Sequence, residues 1–326
     1  MNLYEQQISN KRRSWIIVGF FIVFLGVLGL GFDVFILGMN PVSEPIGLPY
    51  GTMAAVGGGV LMSAMSFWSG PSMVVKASRA RLADSHVAEE NQLIHVVQEM
   101  STASGLPMPK VYVIPDPDLN AFATGTNPEN SVVAVTEGLL KQLNREELQG
   151  VVGHEMSHIR NYDVRLMTLL AALTGAIALL SDWTGRSFRF SGRGRNREGR
   201  GGGGGAVVLV VFGVWLILMI LAPLLSQILA LAVSRRREYL ADASGTELTR
   251  NPAALASALE KIEKAVGPTA SVNQGLAHLC IADPKGSLMG EKEGFWADLL
   301  STHPPLSKRI LALKVMAYQN QGLGAS

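Results

Sequence analysis

Hydrophobic and polar positions divide the chain into blocks of different periodicity. Ser14 to Phe32 is an uncharged run of 19 residues rich in Ile, Val, Phe and Leu, and Pro45 to Val75 carries no charge at all. Each is long enough, as a helix, to cross a hydrocarbon core about 30 Å thick. The spacing from Arg81 to Met100 predicts a helix with Leu93, Val96, Val97 and Met100 on one side, stopped by Gly105-Leu106-Pro107. Lys110 to Ile114 and Val132 to Val135 read as short strands, and Asn120 to Gly125 alternates between them as a third. Asn144-Arg145-Glu146-Glu147 has the form of a capping box and opens another helix. Two further uncharged stretches follow: Leu166 to Ser181, 16 residues, and Ala206 to Val233, 28 residues interrupted by Pro223. Asp182 to Gly205, between them, holds six arginines and a run of five glycines, which predicts a flexible loop.

Helix, small local sheet, helix is the order of an α+β fold, here mostly α-helical. Four parts are expected: a pair of transmembrane helices over 1–75, the first part of a soluble domain over 76–165, a second hydrophobic pair with its Gly/Arg-rich loop over 166–233, and the rest of the soluble domain over 234–326. No small-residue cleavage site follows Phe32, so the first span reads as an anchor rather than a signal peptide. Lys11, Arg12 and Arg13 precede it, and Lys76, Arg79 and Arg81 follow the second span, whereas the connection from Met39 to Glu44 has no Lys or Arg. That asymmetry places both outer ends, and the soluble domain, in the cytosol. Asp33 ends the first apolar run and reads as an interface marker.

Composition narrows the class. Charged residues make up 17% of the 326, against about 25% in globular domains, so a lipid bilayer is an expected partner. The 48% hydrophobic content excludes general disorder, and a net charge of +2 gives no reason to expect nucleic acid. A single cysteine, Cys280, excludes a disulfide framework and reads as a small buried apolar residue.

The chemistry is concentrated in His154-Glu155-Met156-Ser157-His158. Residues four apart share a helix face, so both imidazoles can reach one ion, and neutral imidazole suits Zn²⁺. Glu155 lies beside that point rather than on it, placed to take a proton from an activated water and pass it to a leaving amine. Leu148, Val151, Val152 and Ile159 form the apolar stripe of this helix, and Glu155 falls inside the stripe. A bland surface helix would not aim a carboxylate at its own core. A third ligand is required, and Glu238 and Asp242, at i and i+4 past the fourth apolar stretch, are the candidates. One can bind the metal while the other orients a ligating histidine. Because one ion must reach residues on both sides of the third and fourth stretches, the membrane crossings between them number two or none, and stretch lengths favour two.

Several separate motifs together resemble the HtpX group of membrane zinc metalloproteases, related to the CAAX prenyl proteases. They are Leu106-Pro107-Met108-Pro109, Asn120-Ala121-Phe122-Ala123-Thr124-Gly125, Gly153 to His158 with Asn161 and Asp163, Glu238 to Asp242, and Thr302-His303-Pro304-Pro305. The resemblance covers about Arg81 to Ile310 and implies a cytosolic zincin-like domain of the gluzincin type. It implies one Zn²⁺ per chain held by His154, His158 and Glu238, Glu155 as base, Asp242 holding a ligating histidine, and His303 with Arg309 steadying the tetrahedral intermediate. It further implies polypeptide substrates, misfolded or damaged membrane proteins, cleaved at the cytoplasmic (inner) membrane as part of stress response. The Gly/Arg-rich loop, Arg186 to Gly205, is longer and more basic than the resemblance leads one to expect.

Asn120, Ala121, Phe122 and Ala123 are expected to form an edge strand that an unfolded substrate segment could extend. Two rival readings are an intramembrane zinc protease and a non-enzymatic scaffold with a structural zinc. The charged flank of the motif helix (Lys141, Arg145, Glu146, Glu147, Arg160, Asp163, Arg165) disfavours the first. A closed structural site needs four protein ligands and has no use for Glu155, which disfavours the second.

Overall fold

The computed structural model describes residues 3–35, 37–39, 47–170, 213, 235–265, 280–281 and 304–323. The expected loop at 182–205, nearly all of the third and fourth apolar stretches, and His303 lie outside the described residues. The described elements are mostly helical, with one small mixed sheet.

Two compact units are distinguishable, one comprising 1–14, 67–171 and 229–326, the other 15–66 and 172–228. Helices α1 (Leu3–Phe35) and α2 (Tyr50–Ala77) divide between the units, and in the second, residues 15–35 of α1 meet residues 50–66 of α2. Among the described residues one helix is long and apolar enough to cross a membrane, Gln7–Phe35, with a mean hydropathy of 2.6. Helix α2, the expected second span, is diluted by Gly57 to Gly59 and by several serines. Small residues set the contact between the two helices: a Cβ on Gly29 would lie 2.7 Å from the Gly51 carbonyl oxygen. Asp33 is buried and caps α2. Its Oδ1 accepts from the Gly51 N–H at 2.6 Å, and its Oδ2 accepts from the Thr52 N–H at 2.8 Å and the Thr52 hydroxyl at 2.7 Å. The carboxylate thus satisfies the orphan donors of a helix start where water is scarce.

In the other unit the sheet runs in the order β1 (Arg81–Leu82), β2 (Lys110–Ile114), β4 (Ser131–Thr136), β3 (Ala121–Gly125). Strands β2 and β4 are parallel, and β1 and β3 pair antiparallel on either side. The helix expected from Arg81 starts instead at Ala88: α3 is Ala88–Ser104. The reason is electrostatic. Arg81 grips the buried Glu90 with two hydrogen bonds of 2.9 and 2.7 Å, and the Asp84 N–H donates to the same carboxylate at 2.7 Å. The segment before α3 is folded back on the helix, which frees Arg81 and Leu82 to pair with β2.

Helix α4 (Glu137–Gln142) leads to α5 (Arg145–Arg160), whose start carries the expected capping box: Asn144 Oδ1 accepts from the Glu147 N–H, and Glu147 accepts from the Asn144 N–H. Helices α6 (Arg235–Thr249), α7 (Pro252–Lys264) and α8 (Leu306–Leu323) complete the described elements. One apolar core unites Val96 and Val97 of α3, Ala121 and Ala123 of β3, Val151 and Met156 of α5, Leu255 and Leu259 of α7, and Leu313 of α8. Helix α5 is therefore enclosed nearly all round, more deeply than a single apolar stripe implies.

Candidate active site

Helix α5 delivers His154 and His158, and α6 delivers Glu238 and Asp242. Two glycines let these helices touch. A Cβ on Gly245 would lie 2.8 Å from the His154 backbone nitrogen, and one on Gly153 would lie 3.1 Å from the Gly245 carbonyl oxygen. Backbone approaches backbone there, so short carboxylate side chains on α6 reach imidazoles on α5.

The result is a triangle that is buried at His154 and Glu238 and partly open at His158. His154 Nε2 and His158 Nε2 are 3.2 Å apart, and each lies 3.6 Å from a Glu238 carboxylate oxygen. The opposite ring nitrogens face acids: His154 Nδ1 is 2.9 Å from Asp242 Oδ1, and His158 Nδ1 is 3.1 Å from Asp163 Oδ2. A carboxylate accepts, so each Nδ1 carries the proton of the neutral ring, and both Nε2 lone pairs point into the triangle. Two lone pairs and a carboxylate converging at such distances repel one another unless a cation sits among them. Ligand atoms of tetrahedral zinc with bonds of ~2.05 Å stand about 3.3 Å apart, so the donor set fits that ion.

Charges around the triangle are strongly coupled. Burial alone would lower the His154 pKa, but Asp242 and Glu238 overcome it and raise it to about 9 without a cation. Burial opposes ionisation of Asp242, yet the Arg309 guanidinium and His154 bring it down to about 2. Burial raises the pKa of Glu155, one of whose oxygens, Oε2, is buried with no hydrogen-bond partner among the described residues. That orphaned oxygen, beside the triangle but outside the donor set, is where a proton acceptor is wanted.

Arg309, on α8, is 0% exposed. Its Nε and Nη2 donate to both oxygens of Asp242 at 2.9 and 2.7 Å, and its Nη1 lies 3.1 Å from Glu238 and donates to the Ile281 carbonyl at 3.1 Å. The guanidinium is thus held by Asp242, Glu238 and the Ile281 carbonyl together. Among the described residues strand β3 has a single strand neighbour, β4. Cys280, buried as expected, makes an antiparallel bridge to Phe122, and the Ile281 N–H donates to the Ala121 carbonyl at 2.9 Å. The start of the expected edge is therefore met by the chain's own 280–281 segment, while Asn120 is stitched to Thr136 by the Thr136 N–H at 3.0 Å. Gly245 and Asn10 are not singled out by the sequence, whereas Asp163 belongs to the motif that follows His158 and to the charged flank of its helix.

Two imidazoles, a carboxylate and a free glutamate on a shared core define a metal-dependent hydrolase centre. A profile of Peptidase family M48 matches residues 87–317. A Protease HtpX homolog of Streptococcus gordonii (strain Challis) is 41% identical over 314 residues, 96% of this chain and 100% of that one. The Protease HtpX homolog of Streptococcus pneumoniae serotype 4 is 40% identical over the same shares. The crystal structure of S. mikatae Ste24p, 16% identical, matches 95% of this chain and 66% of that one at a TM-score of 0.48. The chain belongs to peptidase family M48, with HtpX proteases as relatives along nearly its whole length, and it is a metalloprotease.

Proposed function

We propose that this chain is a zinc-dependent, membrane-bound endopeptidase whose site faces the cytosol, and that it cleaves misfolded or damaged membrane proteins at the cytoplasmic (inner) membrane. The observation that carries the chemistry is the convergence of both Nε2 atoms and the Glu238 carboxylate, with ligand atoms all within 4.8 Å of one another. His154, His158 and Glu238 would hold one zinc ion, which when bound polarises the scissile carbonyl and eases deprotonation of water. Asp242 and Asp163 hold the two imidazoles in the tautomer that offers Nε2. Glu155 takes the proton from the attacking water and gives it to the leaving nitrogen, a task suited to a carboxylate whose pKa burial has raised. His303 is the donor we assign to the developing oxyanion, and Arg309 keeps the acids ionised.

Substrate is taken as an extended segment alongside β3, where backbone hydrogen bonds recognise chain rather than sequence. Orientation rests on Lys11, Arg12 and Arg13 before the first apolar run and Lys76, Arg79 and Arg81 after the second. The scaffold reading is disfavoured because the metal-binding group among the described residues has three members and leaves Glu155 over. Purified protein, assayed for zinc content and for hydrolysis of an unstructured reporter with and without chelator, tests the proposal. Hydrolysis unaffected by complete zinc removal overturns it.

A further inference from the structure

The turn that follows the motif helix does more than end it. Asp163, which backs His158, is five residues beyond it, out of helical register. Tyr162 turns the chain at a φ of 59°, a left-handed conformation strained for a bulky side chain, and Asp163 is thereby returned to the His158 ring. Such a turn persists only where its surroundings hold it.

What holds it is the head of α1. Gln7 Nε2 donates to the Arg160 carbonyl at 2.8 Å. Asn10 Nδ2 donates twice, to the Asn161 carbonyl at 2.9 Å and to Asp163 Oδ1 at 2.7 Å. Lys11 Nζ stands 4.0 Å over the Tyr162 ring. Residues at i, i+3 and i+4 share one face of a helix, so a single face touches four successive residues, 160 to 163. Asn10 and Asp163 are both buried, and the Arg237 cation is farther from Oδ1, its Nη1 3.8 Å away and beyond hydrogen-bond reach.

We propose that Asn10 is a positioning residue of the metal centre: its amide fixes the Asp163 carboxylate, and through it the ring of His158. This rests on the reading of His158 as a metal ligand. Both amide hydrogens of Asn10 are in use, one anchoring it to the end of the motif helix and one to the acid. Without the second, Oδ1 gains by swinging toward Arg237, and Oδ2 then leaves the line of His158 Nδ1.

The test is zinc affinity of the purified full-length protein in detergent, measured by competition with a chelator. Asn10→Ala is expected to weaken zinc binding about five- to tenfold, less than the roughly 10–100-fold loss typical of a ligand's direct partner, represented by Asp163→Ala. In the Asp163→Ala background, adding Asn10→Ala should cause no further loss, because the carboxylate it acts on is gone. An equal loss in both backgrounds would show a general packing role and overturn the proposal, as would unchanged affinity in Asn10→Ala. Should Asn10→Ala not fold, the near-isosteric Asn10→Asp, which replaces the donor with a repelling carboxylate, must weaken zinc binding more than tenfold; wild-type affinity there is equally fatal. His158→Ala separates the premise from the proposal. If it binds zinc as the wild type does, the ligand assignment itself fails and Asn10 falls with it.

Discussion

Gly245 of α6 lies against His154 of α5 so closely that a single added carbon would sit 2.8 Å from the histidine's backbone nitrogen. The candidate metal site depends on that approach, since Glu238 and Asp242 stand on the same helix as Gly245. Gly245→Val should force the helices apart, at a cost of about 1–3 kcal/mol in stability from overpacking, and should lower zinc occupancy with it. Denaturation and metal content, measured on one preparation, check both. A valine variant with full zinc would show that the acids reach the imidazoles without this contact.

Glu155→Gln keeps the shape of the side chain and removes its basicity. It should retain about one zinc per chain while proteolysis falls by several orders of magnitude. Appreciable turnover in a zinc-replete Glu155→Gln protein would reject Glu155 as the base.

Glu238 and Asp242 are separated by what they face. Glu238 Oε2 and Oε1 look toward the two Nε2 atoms, whereas Asp242 looks toward Nδ1 and Arg309. Glu238→Ala should therefore weaken zinc retention more than Asp242→Ala does. Equilibrium dialysis against a chelator series ranks the two, and the reverse order would exchange their roles.

Ala123 lies in the middle of β3, paired with Val133 of β4. Ala123→Pro should impair cleavage of an unfolded substrate while leaving zinc in place, because proline removes a strand donor. Cleavage at the wild-type rate would count against β3 as the substrate strand.

Acid should act through Glu147. Burial alone would raise its pKa, but Lys261, Ser257 and the Asn144 N–H hold it below its ordinary value of 4.5. A depressed carboxylate contributes stability that is full above 4.5 and lost as pH falls through the lower folded value. The stability gap between the wild type and Glu147→Gln should accordingly be widest near neutrality and shrink below 4.5. Urea titrations at pH values on either side measure it; a gap independent of pH would remove Glu147 from the acid response.

Local chemistry made much of this legible in advance. The capping box at Asn144 fixed where α5 starts, and the i, i+4 spacing of His154 and His158 placed two donors on one face. Short alternating runs marked β2, β3 and β4. What sequence spacing hid is tertiary. Arg81 to Val87 reads as helix until Arg81 is seen to fold back onto Glu90. Asp33 is a cap only because α2 begins beside it, and Asn10 matters only because the turn after α5 lies against it. Glu238 and Asp242 differ in the ring nitrogen each faces, Nε2 against Nδ1, while Arg309, 67 residues past Asp242, binds both.

That last contact bears on how such an enzyme comes into being. All three metal donors, and the proposed base, precede α8 in the chain, but the cation that neutralises Glu238 and Asp242 arrives only with Arg309. A ribosome-bound chain that ends short of this helix holds the donors without the charge that lets two carboxylates be buried side by side. The charge balance of the site thus depends on the segment that carries Arg309.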